Sequence, residues 1–178
     1  MGALVEHAKL WGAMKHKEQV RKYTGESYFT HCEAVAGLVQ EFYEEVLLSA
    51  PPETVIATAL LHDVVEDTDA TFEMVTDIAG EDVARYVYFL TKPPEFAGNR
   101  SERKAIYNSK LALAPDQVKV IKFCDMLHNH KSIMEHDKVF WQTWRRETTR
   151  AITAMEIAFV HNGDLLEWAP EFVTNLSA

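Results

Sequence analysis

The chain has 178 residues, 47% of them hydrophobic and 25% charged, which is ordinary for a globular domain with a substantial core. Its net charge of −9 argues against the broad basic face that a nucleic-acid polymer requires, but not against a small phosphorylated ligand held by a few local cations. No apolar run reaches the roughly 20 residues of a membrane span, and Cys32 and Cys124 make neither a disulfide framework nor a CxxC metal site, so a reducing cytoplasm is the expected setting.

Helical periodicity runs almost throughout, and Val, Ile and Thr never alternate as they do in a strand. A first helix is predicted over about 2–20, before the turn Thr24-Gly25-Glu26-Ser27. The second, over about 29–47, places His31 at the head of an apolar stripe of Ala34, Val35, Leu38 and Phe42. Alone, such a histidine reads more readily as a hydrogen-bonded core residue than as a ligand. Pro51-Pro52 suits the first turn of a third helix, over about 52–65, whose stretch TVIATALL is apolar on nearly every side and therefore buried. That helix runs directly into His62, Asp63, Glu66 and Asp67. A helix C-terminus favours cations, so three carboxylates there call for compensation, and a divalent cation would supply it. The plainer alternative is His62 capping carbonyls beside a solvated Asp63.

Thr68-Asp69-Ala70-Thr71 offers N-cap oxygens to a helix over about 71–78. Helices over about 80–91 and, past Pro93-Pro94, about 100–113 follow. Arg100, Arg103, Lys104 and Lys110 read as a solvated helix face rather than as phosphate contacts, and Tyr107 serves equally as a core residue or as a platform for a base. Pro115 opens a helix over about 116–135. On it Asp125, His128, Asn129 and Ser132 fall at i, i+3, i+4 and i+7, a polar stripe of short directional side chains opposite Val120, Phe123, Cys124 and Leu127. Helices over about 139–161 and 163–175 complete the chain, with Asn162-Gly163 as the cap between them. Trp141 and Trp144 read as core packing beside Arg145 and Arg146, and His130, His136 and His161 as surface or structural histidines. The expected architecture is an all-α bundle of about eight to nine helices in a single domain over residues 1–178.

Each polar place is ambiguous alone. Together His31, His62, Asp63 and Asp125 offer two imidazoles and two carboxylates, a mixed N/O set that suits Mn²⁺ or Fe²⁺ better than a metal selected by thiolates. Four ligands leave positions open for water and a phosphate.

The order H…HD…D resembles that of the HD-domain metal phosphohydrolases. The stretches QVRKYTGESYFTH, LLHDVVEDTDATFE and VKVIKFCDMLHN resemble the hydrolase domain of the RelA/SpoT family, from about His16 to about Arg150. The length is similar to that of stand-alone small alarmone hydrolases of the Mesh1 type, so no synthetase or regulatory domain is expected. The resemblance implies an HD-domain helical bundle that removes the 3′-pyrophosphate from the alarmones ppGpp and pppGpp. It implies Mn²⁺ on His31, His62, Asp63 and Asp125, with Glu66 and Asp67 positioning and activating the attacking water. It also implies that Arg21, Lys22, Tyr28, Asn129 and Ser132 contact the nucleotide, Ser132 standing where many members carry Thr. Three departures mark this chain. SYFTHC lacks the two prolines usual around that turn, CDMLHN has Met126 in place of the usual arginine, and His130-Lys131 replace the common Met-Arg. The implied partner is a small phosphorylated nucleotide, with no nucleic-acid polymer and no membrane; the sequence is silent on oligomeric state. The same site could remove the 2′-phosphate of NADPH or act on another nucleotide. A nucleotide-binding module without turnover would have no use for Glu66 and Asp67, and a helical scaffold would leave the charges after LLHDVV unexplained.

Overall fold

A computed structural model describes residues 2–45, 50–155 and 170–177, and among them the regular structure is helical, as expected. The helices are α1 (Ala3–Lys15), α2 (Phe29–Glu45), α3 (Pro52–Leu61), α4 (Val64–Asp67), α5 (Phe72–Ala79), α6 (Glu81–Leu90), α7 (Arg100–Ala112), α8 (Asp116–His136), α9 (Lys138–Met155) and α10 (Pro170–Ser177), with a 3₁₀ turn over Glu95–Ala97. No helix among the described residues is long and apolar enough to cross a membrane.

Two boundaries differ from the periodicity. The first helix ends at Lys15, and residues 16–28 form a loop closed by Arg21 N–H to the Glu26 carbonyl (2.8 Å) and Tyr28 N–H to the Gln19 carbonyl (2.9 Å). Gly25 turns this loop with φ 73°, a left-handed conformation that glycine adopts without penalty. The helix expected over about 52–65 is two, α3 and α4, broken at His62-Asp63. The Asn162-Gly163 cap, His161 and the end predicted for the second helix lie outside the described residues, as do the facing ends of the last two predicted helices.

α3 sits at the centre, packed by α1, α2, α6 and α8. Val55, Ala57, Thr58, Ala59, Leu60 and Leu61 are all buried, which is why its sequence is apolar on nearly every side. α1 approaches closely at Gly12, where a Cβ would lie 2.6 Å from Phe29 Cε2 and 3.3 Å from the Leu60 carbonyl oxygen. α8 buries Val118, Val120, Ile121, Phe123 and Cys124 against the same core. Phe172 of α10 closes that core edge-on, its centroid 5.4 Å from Phe123 and 5.1 Å from His130. Cys32 and Cys124 are buried free thiols, and burial pushes both far above the usual thiol range. The helices that carry His31 and Asp125 thus share one core with the end of α3.

Candidate metal centre and its cleft

A side chain bonds the backbone at the α3–α4 break. His62 Nδ1–H donates to the Ala59 carbonyl at 2.8 Å, the oxygen that a continuing helix would offer to the Asp63 amide. Asp63 then sits at φ −102°, ψ −1° before α4 begins. Neighbours on a regular helix point about 100° apart. Here they converge, His62 Nε2 lying 3.0 Å from Asp63 Oδ2.

His31 from α2 and Asp125 from α8 complete the cluster, and one ligand atom from each of the four residues lies within 4.8 Å of the others. His31 Nε2 is 3.2 Å from Asp125 Oδ1 and 3.8 Å from Asp63 Oδ2. Both histidine Nε2 atoms are buried and lack a hydrogen-bond partner. The tautomers explain why this matters. A carbonyl only accepts, so when His62 is neutral its proton sits on Nδ1 and its lone pair on Nε2. His31 Nδ1 meets His128 Nδ1 at 2.8 Å; with the proton donated from His31, its Nε2 is also a lone pair. The two carboxylates facing these imidazoles need positive charge between them, which either a proton on His62 or a bound cation supplies. These donors fit a divalent metal, and a hydrogen bond on the far ring nitrogen is usual for metal-bound histidine.

The charges of the cluster settle on one proton. Burial pulls the His62 ring down, but Asp63 and Asp125 outweigh it and push its pKa up to about 10. His31 goes the other way: burial, with His62 beside it, lowers it against the pull of Asp125. Burial disfavours charged Asp63 and Asp125 too. His62 nevertheless holds Asp63 below the usual carboxylate range, and Lys122 with the two histidines does the same for Asp125. His128 is brought down to about 4 by burial, His31 and Arg21, and is neutral.

Surrounding contacts aim the carboxylates. Tyr28 Oη–H donates to Asp63 Oδ2 at 2.5 Å. Lys122 Nζ donates to Asp125 Oδ2 at 2.6 Å and Asn129 Nδ2 to Asp125 Oδ1 at 2.7 Å, while Arg21 donates to Asn129 Oδ1 at 2.7 Å. The next two carboxylates differ. Glu66 accepts from the Lys92 amide at 3.1 Å and from its ammonium at 2.5 Å, one on each oxygen. Asp67 is raised above the ordinary range, by burial first and then by Asp63 and Glu66. Its backbone carbonyl accepts from Gln19 Nε2, and Gln19 Oε1 lies 2.6 Å from His16 Nδ1. A carboxylate of raised pKa beside such a cluster is suited to taking a proton from water.

Asp63 and Asp125 line a cleft of about 910 Å³, together with Tyr28, Glu66, Asp67 and Asn129. Six cations also line it: Lys92, Arg100, Arg103, Lys104, Lys110 and Lys122. The α7 cations therefore face the cleft, which corrects the expectation of a solvated face. Tyr107 fills both of its expected roles in part: it is 2% exposed, donates to the Leu90 carbonyl at 2.7 Å and presents an edge to the cleft. Trp141 and Trp144 stack at 5.4 Å as core packing, with Trp144 also at the cleft. His130 is buried against Phe172 and Trp141, and His136 Nδ1–H donates to the Ser132 carbonyl at 2.9 Å.

Three of the residues expected at the nucleotide hold partners within the chain. Lys22 is largely exposed and pairs with Asp137 at 3.3 Å. Ser132 Oγ–H donates back to the Asn129 carbonyl at 3.2 Å. Arg21 reaches the cleft through Asn129. Lys122 and Lys92 went unnoticed in the sequence. Lys122 did have a signal, a cation one turn before Asp125 amid Ile121, Phe123 and Cys124. Lys92 had none, being 26 residues from Glu66.

Comparison with known proteins sets this geometry in context. Residues 9–151 match the HD domain family model. The chain is 34% identical over 137 residues to a GTP pyrophosphokinase of Myxococcus xanthus and 37% identical over 122 residues to a probable guanosine-3′,5′-bis(diphosphate) 3′-pyrophosphohydrolase of Synechocystis. The matches cover 73% and 66% of this chain but only 17% and 15% of those longer relatives. It is 33% identical over 138 residues to the guanosine-3′,5′-bis(diphosphate) 3′-pyrophosphohydrolase MESH1 of Drosophila melanogaster, covering 77% of this chain and 73% of that one. A solved structure described as a metazoan ortholog of SpoT that hydrolyzes ppGpp superposes with a TM-score of 0.73 at 25% identity, over 92% of this chain and 98% of the other. A Listeria monocytogenes structure, at 24% identity and a TM-score of 0.66 over 87% of this chain and 96% of the other, shares the fold.

Proposed function

The chain belongs to the HD domain family, and from that membership we propose that it is a metal-dependent phosphohydrolase that removes the 3′-pyrophosphate from guanosine tetra- and pentaphosphate, leaving GDP or GTP. The observation that carries this reading is the buried pair of unpartnered Nε2 atoms facing Asp63 and Asp125 at a cation-lined cleft. The likeness to MESH1 over most of its length supports the same substrate.

The proposed ligands are His31, His62, Asp63 and Asp125, and the proposed metal is Mn²⁺, which when bound polarises a phosphate and lowers the pKa of a water. Asp67, with its raised pKa, takes the proton of the attacking water, and Glu66, held by Lys92, orients that water. Water oxygen attacks the phosphorus on the ribose 3′ oxygen, that P–O bond breaks, the 3′ oxygen gains a proton and pyrophosphate departs. Cleft cations offset the charge on the phosphates. Tyr28 and Asn129, with Arg21 behind Asn129, are the proposed nucleotide contacts; Lys22 and Ser132 join them only by leaving the partners they hold now. A single HD-type domain over residues 1–178 and a reducing cytoplasm, which agrees with two buried free thiols, complete the proposal.

The test is a product assay on ppGpp and NADPH side by side, with Mn²⁺ and then with EDTA. Pyrophosphate release from ppGpp that EDTA abolishes is the expected result. Phosphate release from NADPH alone would keep the site and replace the substrate. Turnover of neither, with metal bound, would overturn the ppGpp reading and leave a different substrate or a binding module.

A further inference from the structure

α4 is a single turn, Val64–Asp67, and Asp67 is its last residue. One turn of helix is marginal alone, and the final carbonyl of a helix has no partner within it. The Asp67 amide donates inside the turn, to the Asp63 carbonyl at 2.9 Å. Its carbonyl is held from outside, by Gln19 Nε2 of the 16–28 loop. Thr68 is extended, at φ −133° and ψ −173°, so the helix does not continue past Asp67.

The Gln19 bond dictates the next one. A carbonyl only accepts, so the Gln19 amide turns Nε2 towards Asp67 and Oε1 away from it. Oε1 lies 2.6 Å from His16 Nδ1, and an amide oxygen also only accepts, so His16 carries a proton on Nδ1 and donates it. The orientation of Gln19 is set at one end by His16 and used at the other by Asp67.

His16 is costly where it stands. The ring is buried, stacked on Tyr28 at 5.0 Å and on Phe29 at 6.4 Å. Its Nε2 is one of three buried side-chain polar atoms without a hydrogen-bond partner among the described residues, and the other two are those of His31 and His62. Packing alone would be served by a hydrocarbon ring, which leaves no polar atom unsatisfied. What an imidazole adds at this place is the Nδ1 donor.

We propose that His16 is a positioning residue: through Gln19 it fixes the Asp67 backbone, and with it the direction of the carboxylate that takes the water proton. This rests on reading Asp67 as the base of a phosphohydrolase. His16 touches neither metal ligand nor substrate in this role, and a fault in it falls on the chemical step rather than on binding.

The experiment is steady-state kinetics on ppGpp at saturating Mn²⁺, with amide hydrogen exchange of the metal-loaded protein followed by mass spectrometry, for the wild type, His16→Phe, His16→Asn and Gln19→Glu. Phenylalanine keeps the stack on Tyr28 and loses the donor. Asparagine sets an amide nitrogen close to the place of Nδ1. Glutamate accepts from His16 but has no proton to donate to the Asp67 carbonyl. His16→Phe and Gln19→Glu are expected to lower kcat about 10–100-fold with KM unchanged, and to speed exchange over residues 64–70 alone. His16→Asn is expected to recover most of the kcat and the slow exchange. Gln19→Glu, at a half-buried position, decides alone if His16→Phe does not fold. An unchanged kcat in His16→Phe, an equal fall in His16→Asn, or faster exchange throughout the chain overturns the positioning role and leaves His16 to packing. If the wild type hydrolyses ppGpp, those outcomes sink this role alone. No turnover of ppGpp by the wild type, with exchange over 64–70 still faster in His16→Phe and restored in His16→Asn, would sink the ppGpp reading and keep His16 as the anchor of the Asp67 segment.

Discussion

His62 governs the proton balance of the cluster. With Asp63 and Asp125 ionised and His31 neutral, it is the one proposed ligand whose raised pKa, about 10, keeps a proton on it at neutral pH. Metal must displace that proton, so apparent metal affinity should rise about tenfold per pH unit up to that value. Calorimetry at pH 7 in buffers of different ionisation enthalpy should find about one proton released; two or none would mean a different starting state. His62→Ala should leave no retained metal, read by elemental analysis of the dialysed protein. Tyr28→Phe removes the hydroxyl that aims Asp63 and should weaken metal binding by ~10–100-fold without unfolding the chain. Asp67→Asn should keep the metal and lower kcat by about 10²–10⁴-fold. In the wild type kcat should fall as pH drops through the raised Asp67 pKa, because a protonated acid cannot accept the water proton. A pH–rate profile flat through that range would assign the base elsewhere.

Among the elements, α1 does more than cover α3. It delivers the 16–28 loop, which brings Tyr28 to Asp63 and Gln19 to the Asp67 carbonyl. Gly12 sets how closely it lies. Gly12→Val would drive side-chain atoms into Phe29, Leu61 and the Leu60 carbonyl, and should cost roughly 2 kcal/mol in urea unfolding. An unchanged midpoint would mean that α1 shifts at little cost, and metal affinity would then report whether the loop moved with it. The α3–α4 break shows what periodicity leaves out. A hydrophobic pattern describes a continuous helix well, but no pattern of apolar residues encodes the break at His62-Asp63, where a ring nitrogen takes the Ala59 carbonyl. The clustering of His31, His62, Asp63 and Asp125 was legible because short acids and imidazoles are costly at the end of a buried helix or on a core-facing stripe. The α7 cations were not, since a long cationic side chain has the same spacing whether it faces water or a cleft.

For the molecule as a whole, a net charge of −9 and the proposed anionic substrate are reconciled by gathering six cations along one cleft. The absence of alternating patterns made the all-helical class legible. The cleft was not, because it arises where α7 packs on α9, a long-range pairing set by tertiary packing. Since the ligands assemble only in the folded chain, metal should raise the midpoint of thermal unfolding and a chelator should reverse the gain. An unmoved midpoint with metal bound would mean that the cluster is retained after unfolding.

The ligands of this cluster lie on segments as far apart as residues 31 and 125, on three different parts of the core. An ion there acts as a clasp on the chain's long loops, closing them more tightly than packing alone. Protease digestion timed with and without chelator should show it: the metal-free chain is expected to be cut faster. Scarcity of a trace element would then shorten the protein's lifetime as well as silence it.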